Sequence, residues 1–263
     1  MRKLTFISFF AVLAFTAMAW ADEWTKTYDL TGRPELRVEA RDASVRIEPW
    51  DQNKIEVRVT TLGWKIGNEG VEVIGHQQGN MVEIQLRQHY AHTWFGIGIR
   101  RTEMEIRMPH SAKVNVHTGD GSIVARGLEG ELDFSSGDGR LDLSDLEGIL
   151  RAHTSDGSIR ASGRFDVLEL RTEDGHIELE ARPGSQLREA WEVRTSDGGV
   201  NLRIPGDLAA DVQLHTGDGH ITTNIPITVE GSYSGHDIRG KINGGGNHLI
   251  VHTGDGSITL DKF

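Results

Sequence analysis

The sequence predicts an all-β chain folded as a β-solenoid, a single-stranded, β-helix-like stack of coils about 18–23 residues long with an N-terminal β capping region. Three observations predict it. A seven-residue motif centred on Asp-Gly recurs seven times. Apolar residues alternate with polar ones on both sides of each motif. Glycine is abundant (32 of 263 residues) and aromatic residues are few (6%), which favours turn-rich β structure over a helical bundle.

The motif aspartates stand at Asp120, Asp138, Asp156, Asp174, Asp197, Asp218 and Asp255, with spacings of 18, 18, 18, 23, 21 and 37. A constant step with later insertions marks solenoid coils carrying loops on one side. Asp-Gly is a tight-turn signal, because Gly supplies φ > 0 and Asp bonds its own backbone. Before the turn, Leu132, Phe134 and Ser136 share one face, as do Leu150, Ala152 and Thr154, and likewise Leu168, Leu170 and Thr172. After it, Ile159 and Ala161 face inward, as do Ile177 and Leu179, and Val200, Leu202 and Ile204. Period-two alternation is a half-buried strand. Leu128-Glu-Gly130 and Leu146-Glu-Gly148 supply a second corner. The left-handed hexapeptide helix does not fit, since six-residue steps from Ile123 reach Glu129, Ser135, Leu141 and Glu147. Calcium-binding nonapeptide rolls do not fit either, because their Gly-Gly-x-Gly-x-Asp unit is missing.

Residues 22–108 have no Asp-Gly turn but keep the alternation: Leu36-Val38-Ala40, Val45-Ile47, Ile55-Val57-Val59, Val71-Val73, Val82-Ile84-Leu86 and Met104-Ile106-Met108. They are expected to begin or cap the stack whose repeats occupy residues 109–263, the whole forming one continuous domain over 25–263. Residues 1–21 have the form of a secretory signal peptide. Arg2 and Lys3 precede an apolar stretch from Leu4 to Ala19, followed by the small-x-small sites Ala17-Met18-Ala19 and Ala19-Trp20-Ala21. That stretch is shorter than the roughly 20 apolar residues of a membrane span. The expectation is export to a periplasm or the cell exterior, with no transmembrane span in the mature chain.

The formal net charge of −11, which becomes −13 without Arg2 and Lys3, argues against a nucleic-acid partner. With no Cys, there is no disulfide, thiolate metal site or cysteine nucleophile.

The segment Ile106-Arg-Met-Pro-His-Ser-Ala-Lys-Val-Asn-Val-His-Thr-Gly-Asp-Gly-Ser-Ile123 resembles the signature of the bacterial "putative adhesin" family, a domain of unknown function. The late segment Gly240-Lys-Ile-Asn-Gly-Gly-Gly246 with Leu249-Ile-Val-His-Thr-Gly-Asp-Gly-Ser-Ile258 is similar to that family's closing coil. The resemblance covers roughly residues 36–263. It implies adhesion or surface binding, of a protein or a glycan, and no catalytic residues. Where many relatives have Ser-Gly-Asp, this chain has mostly Gly-Asp-Gly or Ser-Asp-Gly.

Four groups of residues are weighed as sites. Stacked aspartates repel by roughly 1 kcal/mol per pair in water. The repulsion is offset by turn hydrogen bonds and by ion pairs with the residue three positions earlier (His117, Ser135, His153, Arg171, Arg194, His215 or His252), or alternatively by bound calcium. The row Thr118, Ser136, Thr154, Thr172, Thr195, Thr216 and Thr253 faces inward and bonds within the row or to turn backbone. His215 and His220 flank one turn and are the best histidine pair, but column neighbours point the same way rather than converging on a metal. Tyr90, Trp94, Phe95 and Ile97 stand near a hairpin tip, which forms either a contact surface or an apolar plug for the end of the stack.

The resulting expectation is a non-enzymatic exported binding protein with no resident cofactor and no metal site. The alternatives are a polysaccharide-acting β-helix enzyme, with the acidic corner as its site, and a purely structural envelope protein. Copies could associate through the open ends of the stack.

Overall fold

A computed structural model describes residues 21–63, 65–89, 100–229 and 234–263. Among them there are 21 strands and no helix. Ahead of the first Asp-Gly motif come β1 (Ala21–Asp29), β2 (Glu35–Ala40), β3 (Ser44–Pro49), β4 (Lys54–Leu62), β5 (Val71–Gln78), β6 (Met81–Gln88), β7 (Arg101–Met108) and β8 (Ser111–Thr118). The central coils are β9 (Ile123–Arg126), β10 (Glu129–Ser136), β11 (Leu141–Thr154), β12 (Ile159–Thr172) and β13 (Ile177–Ala181). The C-terminal part holds β14 (Trp191–Asp197), β15 (Val200–Ile204), β16 (Ala210–Asp218), β17 (Ile221–Thr223), β18 (Thr228–Val229), β19 (Asp237–Ile242), β20 (His248–Asp255) and β21 (Ile258–Lys262).

The strands form two ladders that meet at the Asp-Gly corner. Strands entering the corner pair in the order β5-β6-β2-β8-β10-β11-β12-β14-β20-β16-β19-β18. Strands leaving it pair as β1-β4-β7-β3-β9-β11-β12-β13-β15-β21-β17. The 14-residue strands β11 and β12 bend round the second corner and belong to both ladders. The coil strands pair in parallel, and antiparallel strands are added at the ends: β5, β4 and β1 at one end, β19 and β18 at the other. The first of these, β1, carries no apolar alternation and buries only Tyr28, which hides it from a pattern-based reading.

Spatial order departs from chain order at both ends. The coil β2–β3 lies between β6–β7 and β8–β9. The last coil, β20–β21, lies between β14–β15 and β16–β17. The stack expected from the repeat, with the Asp218 coil next to the Asp197 coil, is therefore corrected: the Asp255 coil separates them.

The core lies between the two ladders. Alternating residues such as Leu132, Phe134, Leu150, Leu168, Val193 and Val251 from one ladder meet Ile123, Leu141, Ile159, Ile177, Val200 and Ile258 from the other, all buried. Phe165 and Trp191 meet edge to face, with ring centroids 6.5 Å apart.

Candidate functional site

The Asp-Gly corner is held by its glycine and its hydroxyl. A Cβ on Gly139 would stand 2.0 Å from the carbonyl oxygen of Gly121. The same holds for Gly157 over Gly139 (2.1 Å), Gly175 over Gly157 (2.1 Å) and Gly256 over Gly198 (2.2 Å). Of the seven motif glycines only Gly198 has positive φ, and at 159° it is nearly extended. The glycine serves the close approach of coils rather than a left-handed turn. Positive φ belongs to the second corner, at Gly130 (135°) and Gly148 (103°).

The inward hydroxyls reach across the same gap. Thr154 Oγ1 donates to the carbonyls of Gly137 (2.9 Å) and Gly139 (3.1 Å). Ser136 bonds the carbonyls of Gly119 and Gly121, and Thr172 those of Ser155 and Gly157. All seven members of the row are buried. Their protons are committed to backbone, so no nucleophile stands free there.

An eighth corner escaped the motif. Arg41-Asp42-Ala43-Ser44 runs beside Gly119-Asp-Gly-Ser122, with the Gly119 and Asp120 amides both donating to the Arg41 carbonyl. Ala43 replaces the glycine, and this hid the turn in the sequence. In space the aspartates run Asp42, Asp120, Asp138, Asp156, Asp174, Asp197, Asp255, Asp218.

The seven motif aspartates are exposed and make no ion pair among the described residues. The basic residues three positions earlier turn the other way. Arg171 pairs with Glu169 (3.0 Å) and Glu192 (3.1 Å), and Arg194 also pairs with Glu192. The expected ladder of ion pairs with the motif aspartates is not formed among the described residues: Arg171 and Arg194 pair with strand glutamates, His215 pairs with Asp237, and His117 bonds Ser135. Among the described residues no group of three or more His, Asp or Glu side chains is placed to hold a metal ion. Tyr90, Trp94, Phe95 and Ile97 lie outside the described residues.

The threading of the last coil creates one distinctive surface. On the outer side of the entering ladder, β14, β20, β16 and β19 lie side by side. Arg194, His252, His215 and Asp237 form one row across them, and Glu192, Ile250, Gln213 and Arg239 the next. These rows surround a depression of about 340 Å³. The rings of His215 and His252 are parallel within 5°, with centroids 5.0 Å apart. His215 Nδ1 lies 3.0 Å from Asp237 Oδ2. Burial pushes the His252 pKa down, as do the neighbouring His215 and Arg194, while Asp237 opposes them. His215 thus finds its partner in His252 and not in His220. The motif placed His117, His153, His215 and His252 at like positions of their corners, but only the spatial order of the coils says which two meet.

The fold and its corners define a class: an all-β, solenoid-like stack of repeated coils. The family model described as Toastrack DUF4097 matches residues 34–180 and again residues 113–261, and the chain belongs to that family. No curated protein matches the chain. Similar solved structures include one called a "putative cell adhesion protein" from Clostridium sporogenes, 12% identical, covering 93% of this chain and 100% of its own, with a TM-score of 0.44. A "putative adhesin" from Bacteroides fragilis is 10% identical over 92% of this chain and 97% of its own, with a TM-score of 0.42. A "putative lipid binding protein" from Parabacteroides distasonis is 11% identical over 92% and 97%, with a TM-score of 0.35. At such identities and TM-scores, the names describe those proteins and not this one.

Proposed function

We propose that this chain is an exported, non-enzymatic β-solenoid that binds a component of the bacterial cell surface or envelope. The observation that carries the reading is the in-register stack. Interlocked corners hold successive coils at about 4.8 Å, and each coil presents its outward side chains in fixed rows. Such a stiff, ruled surface is pre-organised for recognition, since little ordering entropy is lost on contact. The signal-peptide form of residues 1–21 supports a place outside the cytoplasm. At the ends, β1, β5, β17 and β18 each pair with a single strand among the described residues, and these edges are where copies would join.

The test uses labelled residues 22–263 and bacterial envelope fractions, scored for saturable retention and for release of soluble fragments from their polysaccharide. Saturable retention without fragment release is expected. Fragment release lost on Asp156→Asn would replace the reading with the enzymatic one, and no retention on any fraction would sink it.

A further inference from the structure

The depression at His252 and His215 is locally basic on an acidic chain. The chain as a whole carries −11. The lining of this depression has two arginines and two histidines against one carboxylate, Asp237, which is already bonded to His215. Arg239 makes no ion pair among the described residues. The larger polar groove on the other ladder is different, because three carboxylates, Asp142, Glu178 and Glu180, stand against its four arginines. Arg160 holds Glu178 (2.7 Å), and Arg182 holds Asp145.

The centre of the depression is neither purely charged nor purely polar. Ile250 offers an apolar contact, Gln213 an amide and Asp237 a carboxylate, beside the imidazole pair. A simple polyanion would be repelled by Asp237 and by Glu192 at the rim. A sugar acid suits every group. Its oxyanion meets guanidinium and imidazole, its hydroxyls meet Asp237 and Gln213, and its C–H face meets Ile250. We infer that this depression binds an acidic sugar unit, with its oxyanion over His252 and His215 and between Arg194 and Arg239. The inference rests on the surface-binding reading and names the ligand class for it. Carboxylate (uronic acid) and phosphate (sugar phosphate) share the required chemistry.

Proton linkage follows from the same geometry. In the free protein His252 is surrounded by burial, His215 and Arg194, which oppose its charge, and by Asp237, which favours it; Arg239, Glu192 and the corner residues Asp197, Asp255 and Asp218 complete the surrounding charges. A bound oxyanion restores the proton, so binding takes up protons and tightens as pH falls through the histidine range.

The test is a titration of residues 22–263 with galacturonate, glucuronate, glucose 6-phosphate and glucose, above and below about pH 6.5, following the imidazole NMR signals of His215 and His252. The expected result is a shift with the sugar acids or the sugar phosphate, tighter at the lower pH, and none with glucose. Binding should weaken roughly tenfold in Arg239→Gln, which removes a charge-assisted bond at an exposed position. A response to uronates alone identifies carboxylate as the ligand group, and to glucose 6-phosphate alone, phosphate. No imidazole shift with any acid at either pH, or a shift unchanged in Arg239→Gln, overturns the site. Envelope retention undiminished in Arg239→Gln would also overturn it while leaving the surface-binding reading intact. Imidazole shifts without any envelope retention would do the reverse.

Discussion

Asp197 is in register with Asp255 and not with Asp218, although Asp218 follows it next in the repeat. The last coil of the chain is thus a wedge between two earlier ones, and the first coil, β2–β3, is a matching wedge at the other end. Both terminal coils are held on two sides, so neither free end of the repeat forms an end of the stack. The ladders end on the antiparallel strands β5, β1 and β18 and on the three-residue parallel strand β17.

The corner glycines give a sharp stability test. In Gly157→Ala the new methyl would meet the Gly139 carbonyl at 2.1 Å, a backbone atom that cannot swing away. Urea unfolding should show a loss of at least about 2 kcal/mol, in the range of overpacked cores. A methyl at Gly206 would find nothing within 4 Å, and the backbone there has no positive φ. Gly206→Ala should therefore stay within about 1 kcal/mol of the parent, on the stabilising side. Equal effects of the two would refute close approach as the reason for the motif glycine.

Thr154→Val keeps the shape of the side chain and removes a proton shared between two carbonyls. The expected cost is about 1–3 kcal/mol by denaturant titration, the range for buried polar groups left unpaired. Thr154→Ser should be much milder, because Ser136 already performs the same bonding in the neighbouring coil. A Val variant as stable as the parent would mean that the hydroxyl row is incidental.

Tyr28 makes the opposite case. Its hydroxyl is buried against Gly75 with no hydrogen-bond partner among the described residues, and burial raises its pKa. Tyr28→Phe removes an unsatisfied polar atom, so the melting temperature should hold or rise, with a gain up to about 1 kcal/mol. A clear loss would reveal a partner for the hydroxyl.

The coil itself was legible because its determinants are local. Leu132, Phe134 and Ser136 alternate by period two, and a turn follows within two residues. Coil order was not legible, because any Thr-x-Asp-Gly corner fits on any other: Thr253 and Thr216 sit as well beside each other as Thr154 beside Thr172. What directs the last coil is the connection before it. Asn243 Nδ2 donates to the carbonyls of Gly206 and Leu208, and Asn247 Nδ2 to those of Leu187 and Arg188, which pins the glycine loop between two distant segments. The site inherited this difficulty, since His215 meets His252 only through that threading.

Deleting residues 248–263 should therefore do more than shorten the stack. Leu249, Val251, Ile258 and Leu260 are buried, each contributing about 1.5–3 kcal/mol. Together they are comparable to a whole domain's net stability of about 5–15 kcal/mol. Hydrogen exchange should show β14–β17 losing protection while β8–β11 keep theirs. Retained protection in β14 and β16 would mean that β16 re-docks directly on β14, and that the last coil is dispensable.

The final prediction concerns pH. Burial, His215 and Arg194 hold the His252 pKa below its ordinary value, with Asp237 opposing and Glu192 and Arg239 at the rim. Between the lowered folded value and the ordinary unfolded one near 6.5, the unfolded chain binds more protons. Stability contributed by neutral His252 is then complete above that window and declines as pH falls through it. Thermal melts of residues 22–263 should drop on acidification across this range, and His252→Gln, which cannot take the proton, should flatten that part of the profile. Addition of the sugar acid should also flatten it, because the bound oxyanion replaces the repulsion that His252 meets from Arg194 and His215 with an attraction. A profile unchanged by His252→Gln would place the acid sensitivity elsewhere in the molecule.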